Sequence, residues 1–219
     1  IFLGSKITNI NFNINYFTIF ILLLSMIALI GLYTQTKNKL NNEKIIVPSI
    51  NKKELIVIIC LIVTVCIRSY VGLILSFSWK SNYVLALLFV LGVILGKMFG
   101  GILGDRFGFI KVSVYSLGIA AILYTGAFYN SICGILAVLL FNMTMPITLT
   151  SLANIFNNNK GLAFGLLTFA LFLGAIPVFF GYTDTLFNPI GLFSITIFSA
   201  VILFIGLKGY NELMEKRYD

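Results

Sequence analysis

The chain has 219 residues, 59% of them hydrophobic and only 10% charged, where an ordinary soluble domain carries about 25% charged residues. Fifteen Lys and Arg stand against seven Asp and Glu, giving a net charge of +8, and there is no histidine. So few charges cannot cover the surface of a water-soluble domain of this size, and disorder or a disulfide scaffold fails on the same composition. A polytopic membrane protein remains.

A helix needs about 20 apolar residues to cross the hydrocarbon layer, whereas a barrel strand is half as long and alternates in polarity. Seven runs have helical length and do not alternate: 16–34, 55–79, 83–103, 112–128, 132–153, 162–181 and 187–207. The expected fold is therefore all-α, with seven transmembrane helices. The chain reads as an external stub and first helix (1–34), a polar, basic linker (35–54), a closely connected six-helix bundle (55–208) and a tail (209–219).

Orientation follows the basic residues. With the linker in the cytoplasm, Lys37, Lys39, Lys44, Lys52, Lys53, Arg106, Lys111, Lys160, Lys208, Lys216 and Arg217 all fall inside, while Lys6 and Lys80 fall outside. The N-terminus of the chain is then external and the C-terminus cytoplasmic, in a cell membrane. Topology accounts for the positive charge, so no nucleic-acid partner is needed. The linker is also where a polar boundary between two helical halves would fall.

The first span of the bundle (55–79) contains Arg68 near its middle, where a cation costs about 2.5–3.5 kcal/mol. Cys60, Thr64, Arg68, Gly72 and Ser76 follow one another at four-residue spacing, which places a small, polar face around the guanidinium. Such a face suits a watery cavity, and a guanidinium fork suits carboxylate, phosphate or phosphonate. Arg68, Thr64 and Gly72 are therefore candidate solute-binding residues; the competing reading is a structural contact to a carbonyl or to an acid on a helix outside this chain.

The next span (83–103) carries Gly92, Gly96 and Gly100, with Gly104 just beyond it. They share one helical face, which permits close approach of a neighbouring helix. Gly161 and Gly165, with Ala170 and Gly174 later, repeat the device in span 162–181. After the glycine-rich span comes Gly101-Ile-Leu-Gly104-Asp105-Arg106-Phe107-Gly108-Phe-Ile-Lys111. This run resembles the loop signature of the major facilitator superfamily, Gly-x-Leu-x-Asp-Arg-x-Gly followed by basic residues. That loop joins the second and third helices of a six-helix half, the position it occupies here. Phe109 and Ile110 depart from the family's basic pair, and Lys111 arrives one step late.

The resemblance implies a secondary transporter working by alternating access, with this chain supplying the last helix of a first half and the whole second half. The remaining N-terminal helices would be partners, the solute small, and no cofactor or metal required. It also implies a conformational latch formed by Gly101, Gly104, Asp105, Arg106 and Gly108. The stretch from Met145-Pro146 to Gly174-Ala-Ile-Pro177 is similar to the tenth and eleventh helices of that superfamily, and the texture is similar to bacterial drug or anion exporters of the fosmidomycin-resistance type.

In span 132–153, Asn142, Thr144 and Thr148 can add hydrogen bonds to a cavity or to another helix, as can Thr168 in span 162–181. Pro146 and Pro177 should bend their spans. Two other functions compete. Seven spans with Asp105-Arg106-Phe107 ending the third would suit a complete receptor-like protein, but the last span offers no mid-membrane lysine for a retinal Schiff base. An intramembrane enzyme would lack its acid–base groups: no histidine or carboxylate lies within a span, and Cys60, Cys66 and Cys133 have no visible activating partner.

Overall fold

The computed structural model describes residues 23–27, 51–156, 159–182 and 186–218. The chain divides into two units, Ile1–Pro48 and Ser49–Asp219. In the first, residues 23–27 are helical, within the expected span 16–34, most of which lies outside the described residues. In the second, seven α-helical segments among the described residues form the bundle: α1 (Lys52–Ile74), α2 (Tyr83–Phe107), α3 (Phe109–Gly126), α4 (Ser131–Asn142), α5 (Thr144–Ile155), α6 (Lys160–Phe179) and α7 (Pro189–Tyr218). With α4 and α5 counted as one broken span, six helices among the described residues are long and apolar enough to cross a membrane. The protein is an all-helical, multi-pass membrane protein.

Asparagine side chains cap four of these helices. Asn51 and Glu54 form a capping box on α1, the Asn51 N–H donating to Glu54 Oε2 at 3.0 Å. Asn82 Oδ1 accepts from Val84 N–H at 3.0 Å, Asn130 Oδ1 from Ile132 N–H at 2.9 Å, and Asn188 Oδ1 from Gly191 N–H at 2.6 Å. Each side chain satisfies an N–H that the first helical turn leaves without an intrahelical partner.

Short turns alternate the helices between a basic end and an aromatic end. The basic end holds the α2–α3 and α5–α6 turns and the start of α1; the aromatic end holds the α1–α2, α3–α4 and α6–α7 connections. Some boundaries differ from expectation. The span expected over 55–79 leaves the helix after Ile74, because Phe77 and Trp79 fold across the end of the bundle. Phe77 stacks on Trp79 with centroids 5.1 Å apart and meets Phe128 edge-on at 5.3 Å. Trp79 Nε1 donates to Ala127 O at 2.8 Å, and its ring fills the notch above Gly134. Lys80, outside the helical span, donates to Leu75 O at 2.7 Å and lies 4.1 Å from the Phe89 ring centroid; partial burial lowers its pKa. The last helix continues through the expected tail to Tyr218, because Tyr210 is buried and Asn154 Nδ2 donates to its hydroxyl at 2.9 Å.

The span over 132–153 breaks at Met143. Pro146 has no N–H to donate to the Asn142 carbonyl four residues earlier, so the α-helical ladder cannot run through. The chain tightens there, with Met143 N–H bonding to Leu140 O at 3.2 Å and the Thr144 hydroxyl donating to Phe141 O at 3.0 Å.

The packing pairs exchange between the two halves of the bundle. Helix α1 packs on α6 and α7; the α4–α5 span packs on α2 and α3; α3 and α7 pack on each other. Exchanging α1, α2 and α3 for α4–α5, α6 and α7 maps this pattern onto itself. Corresponding helices run in opposite directions, which is the topology of an inverted three-helix repeat. The shortest approaches follow the same rule. A Cβ at Gly96 or Gly100 of α2 would overlap the carbonyl oxygens of Leu139 and Met143, and one at Gly174 of α6 would overlap that of Cys66 in α1.

The four glycines at 92, 96, 100 and 104 are the only buried residues of α2. They meet Ile135, Leu139, Met143 and Ile147 in step along the parallel α4–α5 span. The opposite side of α2 exposes Leu91, Ile94, Met98 and Ile102, a surface suited to lipid. Gly161 and Gly165, expected to work in the same way, have nothing within 4 Å of an added Cβ among the described residues.

Candidate functional site

Arg68 is the seventeenth of the 23 residues of α1, later in the helix than the expected middle because the helix both starts and ends before the apolar run 55–79 does. It is 8% exposed. Its Nη1 donates to Thr148 Oγ1 at 3.4 Å, and that hydroxyl donates in turn to Met145 O at 2.9 Å. Thr148 is fully buried, on the segment α5 that contacts every other helix of the bundle. The break at Met143 precedes it by one turn and a residue, so the bend produced by Pro146 lies next to the arginine's partner.

The described acids, Glu54, Asp105, Glu212 and Glu215, all sit at the basic end. Glu54 is fourteen positions from Arg68 on the same helix, about 21 Å along its axis. Arg68 therefore has no counter-ion beside it among the described residues. A guanidinium offers five donors, and one long contact to a neutral hydroxyl leaves most of that capacity for another acceptor.

The other candidates separate. Thr64, 1% exposed, lies one turn from Arg68 on the same face and donates to Cys60 O at 2.9 Å. Gly72 is exposed, with open space where a side chain would be. Asn142 donates to Val138 O at 2.9 Å and borders Gly96, so it belongs to the seam between α2 and α4. Thr168 is exposed and bonds Gly165 O at 2.8 Å.

The sequence singles out Thr144 and Thr148 but not Ser113, Ser116, Ser151, Thr196 or Ser199. Thr144, Thr148 and Ser151 line the buried side of α5, facing the interior that also takes Ser113 and Ser116 of α3 and Thr196 and Ser199 of α7. The hydroxyls of Ser151 and Tyr124 are buried and have no hydrogen-bond partner among the described residues. The spacing of 144, 148 and 151 at one helical face in an apolar span was the available signal.

The loop motif is built around a backbone that only glycine adopts readily. Gly108 has φ +91°, and its N–H closes α2 on Gly104 O at 3.0 Å; α3 begins at the next residue. Gly104 fits between Ile147 and Phe109, and Gly101 faces Pro146. Asp105 and Arg106 are both exposed. The Arg106 guanidinium carbon lies 5.7 Å from the Phe107 ring centroid, and Asp105 makes no side-chain hydrogen bond or ion pair among the described residues. Asp105 lies in the last turn of α2, four residues before the first residue of α3. Glycines 101, 104 and 108 thus form the turn, and the two charges are presented outward.

No cluster of metal-ligating side chains occurs among the described residues. Comparison of the chain with protein-family models, with curated proteins and with solved structures gives no match.

Proposed function

We propose that Ser49–Asp219 is one bundle of a secondary active transporter of the major facilitator type, moving a small anionic solute by alternating access. The observation that carries this reading is Arg68: a buried guanidinium with one hydroxyl contact at 3.4 Å and no neighbouring carboxylate among the described residues. Such a group is costly in a membrane interior and finds its compensation when an anion enters. Thr148 is the neutral group that orients it, and Ser151 is a further hydroxyl on the same helix. The exchangeable packing of the two three-helix sets supports the reading, since transporters are commonly built from inverted repeats.

Asp105 and Arg106, exposed beside a rigid glycine turn, are suited to a latch that closes on a second bundle and opens when the two rock. The basic end is then cytoplasmic and the aromatic end external. A second bundle completes the pathway, so the test uses the intact gene product in proteoliposomes, with a panel of small carboxylates, phosphate esters and phosphonates as solutes. Arg68→Gln lowers uptake of the transported anion at least tenfold, and Arg68→Lys lowers it less, because the charge remains while the planar fork is lost. Unchanged uptake in Arg68→Gln rejects the site.

A further inference from the structure

A cleft of about 460 Å³ opens between α1 and α7 at the basic end, away from Arg68. Its walls meet at Gly206 and Gly209, where the helices come close: an added Cβ would stand 3.0 Å from Cys60 Cβ and 2.7 Å from Val57 Cγ2. Toward the middle of the bundle the lining is apolar, with exposed Phe204 and Ile205. Toward the helix ends it is polar, carrying Lys53 from α1 and Lys208 and Lys216 from α7, against the single carboxylate of Glu212. All four side chains are exposed. Glu212 is four residues from each α7 lysine, so it can offset one positive charge and leaves two.

We infer that this cleft is a binding site for an anionic phospholipid, the phosphate resting on Lys53, Lys208 and Lys216 and one acyl chain lying along the apolar wall. The arrangement follows the gradient of a membrane interface, with cations at headgroup level and an apolar groove directly beneath. Clusters of basic residues at the ends of spanning helices attract anionic headgroups, with each lysine contributing a severalfold preference. The groove distinguishes this cleft from a charged rim alone, because it gives the acyl chain a defined seat where two glycines draw the helix axes together. Another cleft, of about 370 Å³ between α2, α3 and the α4–α5 span, has only Lys111 as a charged group in its lining and lacks that charge complement.

The test places a reporter in the groove by Phe204→Trp in the full chain and reconstitutes it in bilayers doped with dibrominated phosphatidylglycerol or dibrominated phosphatidylcholine. Trp79, at the opposite end, supplies the background, measured in the chain without the added reporter. The anionic lipid quenches the reporter with an apparent affinity about tenfold above the zwitterionic one, and high salt reduces the difference. Combining Lys53→Gln, Lys208→Gln and Lys216→Gln removes the preference, whereas Lys111→Gln with Lys160→Gln keeps it. Equal quenching by both lipids, or a preference that survives the triple substitution, overturns the site. Quenching by neither lipid also overturns it, because the groove is then occupied by protein.

Discussion

At the scale of single residues, Arg68 sets function against stability. A charge held in a membrane interior without a counter-ion costs free energy, and replacing such a group by an apolar one of similar length is often neutral or stabilising. Arg68→Met should therefore leave thermal unfolding of the purified chain in detergent unchanged or raise its stability by up to about 2 kcal/mol, while the intact protein loses transport. A marked loss of stability would show that Arg68 is a structural tie to Thr148. Arg68 as a candidate was legible because a lone cation in an apolar run is a one-dimensional anomaly. Its partner was not, since Thr148 lies 80 positions away and was one of several hydroxyls with equal claim. Asn142 had the better chemistry for hydrogen bonding, yet the packing of α4 turns it to Gly96.

Among the helices, α2 is the element most dependent on its sequence. Its four buried residues are all glycine, and the carbonyl oxygens of Leu139 and Met143 occupy the places where β-carbons at Gly96 and Gly100 would be. Gly96→Val or Gly100→Val forces α2 away from α4–α5 and should cost about 3 kcal/mol, the upper range for overpacking a tight contact. Thermal unfolding of the chain in detergent measures it, with Gly161→Ala as a control expected to change little because that position is open. A Gly100→Val chain as stable as the parent would contradict the seam. The same four-residue spacing therefore has different consequences on α2 and α6. Spacing reports that small residues share a face, and only the neighbour present there decides whether that face is a contact.

For the molecule as a whole, the testable quantity is its direction in the membrane. The bundle keeps most of its basic residues at one end and the aromatic cluster of Phe77, Trp79, Phe128 and Phe187, with Lys80, at the other. With the basic end cytoplasmic, a cysteine introduced at Ser81 should react with a membrane-impermeant maleimide added to intact cells, and one at Lys111 only after permeabilisation. The native Cys60, Cys66 and Cys133 are changed to Ala or Ser first. The opposite pattern would invert the proposed orientation. The sequence alone determined that the chain crosses a membrane repeatedly, roughly where the bundle's spans lie, and which faces carry glycine or the buried charge. Those are properties of hydrophobic length and helical period, which local composition sets. The tertiary structure decided where α1 ends, that α4 and α5 part at Met143, that α7 runs on through the expected tail, and which helix each polar face meets. Those outcomes rest on contacts between distant segments, such as Trp79 on Ala127 and Asn154 on Tyr210, whose free energies no local pattern contains.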